Sequence, residues 1–326
     1  MKVVVTDSTF PSLDIEQSIL GPTGAVVVAG QCKSIETLIP LVRDADAVIT
    51  QFAPIKAEVV AAMQRARVIV RYGIGVDNVD LSAARDRGIP VCNVPDYCID
   101  EVADHTLAFI LASTRQVAIN CTHVRNGTWG LAVPLDQMRT LRDLTVGLVG
   151  FGRIGREVAA RLAPFKCRRL VHDPAVPLAG IRDAGCEPAG LADLLSTADV
   201  VTLHCPSTPQ TRRLLNAESI GRLKPGAIVV NLSRGDLIDT HALIDGLRSG
   251  KIGAAAIDVC DPEPIPPDSP LLAMNHVVVS AHIASASVNA VRTLRETAAR
   301  IALLALEGKS LPNVVNGVRQ DSNSPA

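Results

Sequence analysis

The 326-residue sequence lacks most of what marks a membrane, nucleic-acid or metal-binding protein. No apolar run approaches the roughly 18 residues needed to cross a bilayer, so no membrane span is expected. Its 32 Lys and Arg nearly balance its 33 Asp and Glu, leaving a formal net charge of −1. These charges are scattered, which leaves no basic face for nucleic acid or an anionic membrane surface. The opening MKVVVTD turns polar too soon for a secretory signal. None of the eight cysteines (Cys32, Cys92, Cys98, Cys121, Cys167, Cys186, Cys205 and Cys260) forms a C-x-x-C pair. Reduced thiols in a cytoplasmic protein are expected. The seven histidines show no H-x-x-x-H pattern. Glu101 and His105 stand four apart on an expected helix, but two ligands fall short of a metal site, and no metal is expected. Aromatic residues are scarce, and the single tryptophan, Trp129, is expected to anchor a loop.

Apolar residues make up 48% of the chain, enough to bury a large core, and the length suggests two domains of roughly 150 residues each. The most informative stretch is Leu144–Pro174, LTVGLVGFGRIGREVAARLAPFKCRRLVHDP. A strand-like run ends at Val149, and Gly150, Gly152 and Gly155 follow as G-x-G-x-x-G. Ile154, Val158, Leu162 and Phe165 then recur at helical spacing. The first glycine suits a tight turn, the second a close approach by pyrophosphate, and the third close packing of helix on strand. Bare amides at the helix start, backed by the helix dipole, suit the phosphates. Asp173 closes the next strand, 18 residues past Gly155, where a carboxylate can accept from the adenosine ribose hydroxyls. It would repel a 2′-phosphate, which points to NAD rather than NADP. Arg168 and Arg169 stand at the other end of that strand.

The first ninety residues alternate strand and helix. Strands are expected at 3–6, 25–29, 47–50, 68–71 and 90–94, with helices near 15–20, 35–42, 57–63 and 81–86. Short β-branched strands separated by helices predict a parallel sheet covered on both faces, a small doubly wound domain. A long helix over 100–117 is expected to lead into a second domain, with 120–138 irregular. From 144 the alternation resumes, with strands at 145–149, 169–172, 200–203, 228–231, 254–258 and 277–280. Helices are expected at 154–163, 191–196, 217–223 and 241–249, and Gly226 and Gly250 fit helix C-caps. A final helix over 288–306 carries an apolar face that needs a partner. Pairing it with the first domain makes that domain discontinuous. The expected division is 1–99 with 283–316, 100–282, and a mobile polar tail over 317–326.

Ligands of open α/β sheets bind beyond the carboxyl ends of the strands. Those ends carry the glycine loop, Asp173, His204–Cys205–Pro206, Leu232–Ser233–Arg234, Asp258 with the DPEPIPP loop bearing Glu263, and Ser280–Ala281–His282. Arg234, Glu263 and His282 form a set suited to reversible hydride transfer on a 2-keto acid. An Arg fork binds a carboxylate bidentately and polarises the ketone. A His can protonate the developing alkoxide near neutral pH. A neighbouring Glu favours the imidazolium and fixes its orientation.

These segments resemble the D-isomer-specific 2-hydroxyacid dehydrogenase family nearly end to end. The matching pieces are RYGIGVDNVD (71–80), GIPVCNVPDYCIDEVADHTLAFIL (88–111), VGLVGFGRIG (146–155), ADVVTLHCPSTPQTR (198–212), NLSRGDLID (231–239), AAIDVCDPEP (255–264) and SAHIAS (280–285). The resemblance implies an α/β chain of two doubly wound parallel-sheet domains. A Rossmann NAD-binding domain is inserted in a flavodoxin-like substrate domain. It also implies Arg234, Glu263 and His282 as the catalytic set, and Gly73, Ile74 and Gly75 as amides that hold the substrate carboxylate with Arg234 and His282. Asp258 matches a contact to the nicotinamide amide. Arg153, Ile154, Asp173, His204, Cys205, Pro206, Thr211, Leu232 and Ser233 match other cofactor contacts beside Gly150, Gly152 and Gly155.

The chain is most similar to the C-terminal-binding-protein-like and phosphoglycerate-dehydrogenase-like branch, although Ser285 stands where C-terminal-binding proteins carry a Trp. The function implied is NAD-dependent interconversion of a small 2-hydroxy acid and its 2-keto acid, in a homodimer, with a cleft hinged near 94–99 and 281–286. An NADH-sensing corepressor or scaffold and a phosphoglycerate dehydrogenase are the alternatives. ITQFAPI (49–55) offers Gln51 and Phe52 but no Arg for a substrate phosphate, so an unphosphorylated substrate is expected.

Overall fold

The computed structural model describes residues 1–319. Most of the tail expected over 317–326 lies outside the described residues. The chain folds as two compact units. One holds Met1–Cys98 and, of the described residues, 287–319, and the other holds Ile99–Ala286.

The first unit runs β1 (Lys2–Val5), α1 (Asp14–Leu20), β2 (Val26–Ala29), α2 (Ile35–Val42), β3 (Ala47–Thr50), α3 (Ala57–Ala62), β4 (Ile69–Arg71), α4 (Leu81–Asp86) and β5 (Val91–Cys92). Its all-parallel sheet has the order β2-β1-β3-β4-β5, the flavodoxin-like arrangement. Strand periodicity explains why the runs are apolar throughout: alternate residues point to opposite faces, and both faces are covered. Val3, Val5, Ala47, Ile49 and Val70 share one core with Leu20 and the late helix residues Leu294, Ala298 and Ile301. Val4, Val48, Ile69 and Val91 share the other with Leu38, Val59 and Ala84. The chain's return closes the sheet edge. The Val315 amide donates to the Val91 carbonyl at 2.8 Å, and the Val91 amide to Asn316 Oδ1 at 3.1 Å.

The second unit begins with α5 (Ile99–Thr114) and α6 (Val117–Arg125). It continues through β6 (Thr145–Val149), α7 (Arg153–Leu162), β7 (Arg168–His172), α8 (Leu178–Asp183), β8 (Glu187–Pro188), α9 (Leu191–Thr197) and β9 (Val200–Leu203). It ends with α10 (Ala217–Arg222), β10 (Ala227–Asn231), α11 (Thr240–Arg248), β11 (Ile252–Ile257) and β12 (Val277–Val279), and α12 (Val288–Leu306) returns to the first unit. The sheet order β12-β11-β10-β9-β6-β7-β8 is parallel throughout and contains the Rossmann order around β6. One face is packed by α9, α10 and α11 through Leu194, Leu195, Ile220, Leu243 and Leu247. On the other, α5 packs against α7, β10 and β11. Arg161 of α7 fastens that pair by bonding Asp100 and Asp104 of α5, each at 2.6 Å.

Several local readings change. Gly226 stands beyond the cap of α10, which is Leu223, and a short helix, α8, covers Leu178–Asp183 where none is expected. The long helix breaks at Gln116, whose φ is +54°, and a second helix covers Asn120–Arg125 where irregular chain is expected. That helix buries no residue, so it shows no apolar periodicity. The sheet gains a seventh strand, β8, of two residues with a proline, tolerable only at an edge. Trp129 packs no loop: it is 93% exposed.

Candidate active site

The glycine loop is shaped by crowding at two positions and by space at the third. A Cβ on Gly150, at φ +99°, would lie 2.5 Å from the Cys205 nitrogen, and one on Gly155 would strike the Gly150 carbonyl. Gly152 faces nothing within 4 Å, so its Cβ would fill an open cradle. Gly152 is also the N-cap of α7 and supplies no side-chain cap. The first backbone bond of this helix end runs from Arg156 to Gly152, so among the described residues no backbone carbonyl takes the Ile154 or Gly155 amide. Open space in front of bare amides at the positive end of a helix fits a pyrophosphate.

Asp173, at the end of β7, turns back to this loop. Its Oδ2 accepts from the Phe151 amide at 2.6 Å and its Oδ1 from the Ala175 amide at 2.9 Å. That holds the carboxylate at the edge of the cradle with lone pairs left for ribose hydroxyls. These residues therefore fit a dinucleotide. At the end of β9, burial pushes the His204 imidazole down to about 4, so it is neutral at physiological pH, and Nε2 lies 3.0 Å from Thr202 Oγ1. Burial pushes the neighbouring Cys205 thiol up to about 11. Thr211 braces its own loop: its hydroxyl donates to the Pro206 carbonyl at 2.6 Å and accepts from the Thr208 amide at 2.8 Å. Leu232 is buried, and Ser233 Oγ donates to the Leu203 carbonyl at 2.9 Å, tying the ends of β9 and β10.

Arg234, Glu263 and His282 stand on the loops after β10, β11 and β12. Asn231 shapes the first loop: its Nδ2 donates to the Arg234 carbonyl at 2.8 Å and its Oδ1 accepts from the Ser233 amide at 3.0 Å. Gly235 brings two loops together, since a Cβ there would collide with the Cys260 carbonyl. Glu263 Oε1 lies 2.7 Å from His282 Nδ1. Burial raises the Glu263 pKa. The His282 hydrogen bond and charge, the Cys260 amide and the Arg234 charge more than offset this, so the carboxyl titrates below its ordinary value. The bond at Nδ1 leaves Nε2 as the nitrogen for proton transfer.

His282 has φ +53°, a left-handed conformation that a residue with a Cβ adopts only when its surroundings impose it. Asp258 imposes it. The His282 amide donates to the Asp258 carbonyl at 2.7 Å, Ile283 N to Oδ1 at 2.9 Å, and Ala284 N to Oδ2 at 2.9 Å. Ser280 Oγ also donates to Oδ1 and lies 3.4 Å from His105 Nε2. Both Asp258 oxygens are thus engaged within the His282 loop. In the sequence Asp258 stands at a strand end, and no local signal there marks its hold on this backbone.

In the first unit the Gly73–Ile74–Gly75 loop follows β4. Its carbonyls turn to the scaffold: Gly73 O accepts from Val94 N at 3.0 Å and Ile74 O from Asn93 Nδ2 at 2.7 Å. Among the described residues no backbone carbonyl takes the Ile74, Gly75 or Val76 amide. The Arg71 guanidinium lies over the Cα of Gly73, where a Cβ would collide with it. The neighbouring loop after β3 is gripped by Asp7, which accepts from the amides of Gln51, Phe52 and Ala53 at 3.0, 2.7 and 3.1 Å. Gln51 itself is tied to Thr9, and Phe52 is 55% exposed. Asp7 was not singled out in the sequence. It is an acid at a strand's carboxyl end, the same signal that marks Asp173.

Residues 107–284 match the family model for the D-isomer specific 2-hydroxyacid dehydrogenase, NAD binding domain. A D-3-phosphoglycerate dehydrogenase of Mycobacterium leprae is 39% identical over 280 residues, 86% of this chain and 52% of that protein. A glyoxylate reductase of Korarchaeum cryptofilum is 37% identical over 284 residues, 86% of each chain. A D-lactate dehydrogenase from Aquifex aeolicus, solved with NAD and lactic acid, superposes with a TM-score of 0.85 at 25% identity, covering 94% of this chain and 96% of its own. The chain spans about half the length of the phosphoglycerate dehydrogenases it matches. The chain belongs to the D-isomer specific 2-hydroxyacid dehydrogenase family.

Proposed function

We propose that this protein is an NAD-dependent oxidoreductase that moves a hydride between the nicotinamide and C2 of a small 2-hydroxy or 2-keto acid. The observation that carries this reading is the Glu263–His282 pair at 2.7 Å, set with Arg234 on successive strand ends of a dinucleotide-binding sheet. The bound nicotinamide supplies the hydride chemistry. The glycine-loop amides at Arg153 and Ile154 hold its pyrophosphate, and Asp173 holds the ribose and disfavours a 2′-phosphate. Asp258, His204, Cys205, Pro206, Thr211, Leu232 and Ser233 complete the wall of that site.

Arg234 binds the substrate carboxylate with its planar fork and polarises the ketone. His282 gives its Nε2 proton to the ketone oxygen as the hydride reaches C2, which leaves a neutral imidazole and an alcohol. Glu263 holds the imidazolium and fixes the ring through Nδ1. In the first unit, the Ile74 and Gly75 amides offer donors for a carboxylate. A small unphosphorylated acid is supported by Gln51 being tied to Thr9 and by the absence of any Lys or Arg in the sequence from Ile49 to Ile55. A phosphorylated three-carbon acid is the second reading, favoured by the Arg71 guanidinium over Gly73.

A homodimer is supported by the exposed apolar residues Val117, Val124, Trp129, Leu131 and Leu135 on one stretch of the second unit. A reducing, cytoplasmic setting suits the eight free cysteines, and among the described residues no helix is long and apolar enough to cross a membrane.

The function is tested by mixing the purified protein with NADH and glyoxylate, hydroxypyruvate, pyruvate, phosphohydroxypyruvate or branched 2-keto acids. Loss of reduced-nicotinamide absorbance with one of them is expected, falling at least about 100-fold in His282→Ala while NADH still binds. NADH binding without turnover of any compound contradicts the reading. Glu263→Gln weakens the contact that fixes the His282 ring through Nδ1, so kcat for the reduction should fall at least about 10-fold while NADH affinity stays unchanged. An unchanged kcat contradicts that role for Glu263. Light scattering should give the mass of two chains, and Trp129→Asp should shift it toward one. A single-chain mass in the wild type removes the dimer.

A further inference from the structure

The first unit buries an ion pair that the proposed reaction does not use. Glu16 of α1 is 0% exposed and Arg295 of α12 is 6% exposed. Arg295 donates to both Glu16 oxygens, from Nε at 2.9 Å and from a terminal nitrogen at 2.6 Å, and the same nitrogen donates to the Ser12 carbonyl at 2.6 Å. Glu16 Oε1 also accepts from the Tyr72 hydroxyl at 2.9 Å. Phe10 packs against both partners, edge-on to the Tyr72 ring at 5.4 Å and beneath the Arg295 guanidinium at 4.9 Å. Burial first, and then the Glu16 charge, pushes the Tyr72 hydroxyl pKa up, so it stays a donor.

Tyr72 is the last residue before the Gly73–Ile74–Gly75 loop. Its own amide is spent on the Thr50 carbonyl at 2.8 Å. Its side chain, 1% exposed, is therefore the group that ties the start of the loop to α1 and α12. Replacing a buried ion pair by apolar residues of similar size is often neutral or stabilising, so net stability does not account for this one. Fixed geometry does. The bidentate pair permits one placement of the Glu16 carboxylate, and that carboxylate fixes the Tyr72 ring and the Cα that begins the loop.

We propose that Glu16, Arg295 and Tyr72 are positioning residues that hold the Ile74 and Gly75 amides in the geometry needed for a substrate carboxylate. This rests on reading that loop as a carboxylate site. The network touches no substrate. It acts through the loop backbone, whose carbonyls are already turned to Val94 and Asn93.

Tyr72→Phe tests it. The substitution keeps the ring and leaves Glu16 paired with Arg295, so the fold should persist. Leu38→Ala, a cavity in the other core of the same unit, serves as the stability control. Three quantities are read: hydrogen exchange of a peptide covering residues 73–79, kcat and KM for a reduced 2-keto acid, and NADH affinity. In Tyr72→Phe, exchange of the loop amides and the keto-acid KM should each rise about tenfold, while kcat and NADH affinity stay within about twofold. Leu38→Ala should lower the denaturation midpoint and leave KM unchanged. Unchanged loop exchange in Tyr72→Phe overturns the proposal, as does faster exchange with an unchanged KM. A wild-type protein that reduces no 2-keto acid overturns the functional reading instead. The exchange measurement alone then decides whether the network fixes the loop.

Discussion

The second unit of this protein depends on one buried carboxylate. Asp258 takes three donors from the loop after β12, and its carbonyl takes the His282 amide as a fourth. A histidine at φ +53° would relax if the loop were free, and a local strain of about 1–3 kcal/mol is typical of such positions. Hydrogen bonds to a charged acceptor exceed that cost in sum. The result is a histidine whose Nδ1 meets Glu263 and whose other nitrogen is left, on the proposed reading, for the substrate oxygen. In that reaction such preorganisation would remove the need to reorder the loop during proton transfer.

The same device recurs around both sheets. Asp173 reaches back to the Phe151 amide of the glycine loop, Asn231 clamps the turn before Arg234, and Asp7 grips three amides after β3. Each is a short polar side chain at or just past a strand's carboxyl end. Parallel strands leave their terminal amides and carbonyls unpaired there, and a loop that carries chemistry must satisfy them without helix or ladder bonds. Side-chain acceptors do so while keeping the loop short and stiff. At the Gly73–Ile74–Gly75 loop the proposed positioning comes instead from the Glu16–Arg295 pair through the Tyr72 hydroxyl.

Much of this was legible in the sequence. The β-branched runs and their helical spacers specify two parallel sheets, because strands covered on both faces must be apolar throughout. The glycine spacing identifies its own turn, since crowding at Gly150 and Gly155 and open space at Gly152 leave little choice of residue. What stayed hidden lacks periodicity or is set by distant partners. Helix α6 buries nothing, so nothing in its pattern announces it. Strand β8 is two residues long. Trp129 is large and apolar, and only the structure shows that the chain does not cover it. The Glu16–Arg295 pair joins residues 279 positions apart, and no local rule links them. Asp258 was placed at its strand end, but its grip on His282 depends on a backbone conformation that no sequence motif encodes.

The central claim is that His282 protonates the oxygen of a 2-keto acid as hydride arrives at C2. The most direct measurement uses NADH deuterated at the transferred C4 position and follows the hydroxy acid formed. The account predicts one deuterium at C2, a single D configuration, and loss of labelled product in His282→Ala at unchanged NADH binding. Product without the label at C2, or undiminished labelled product from the mutant, would contradict it.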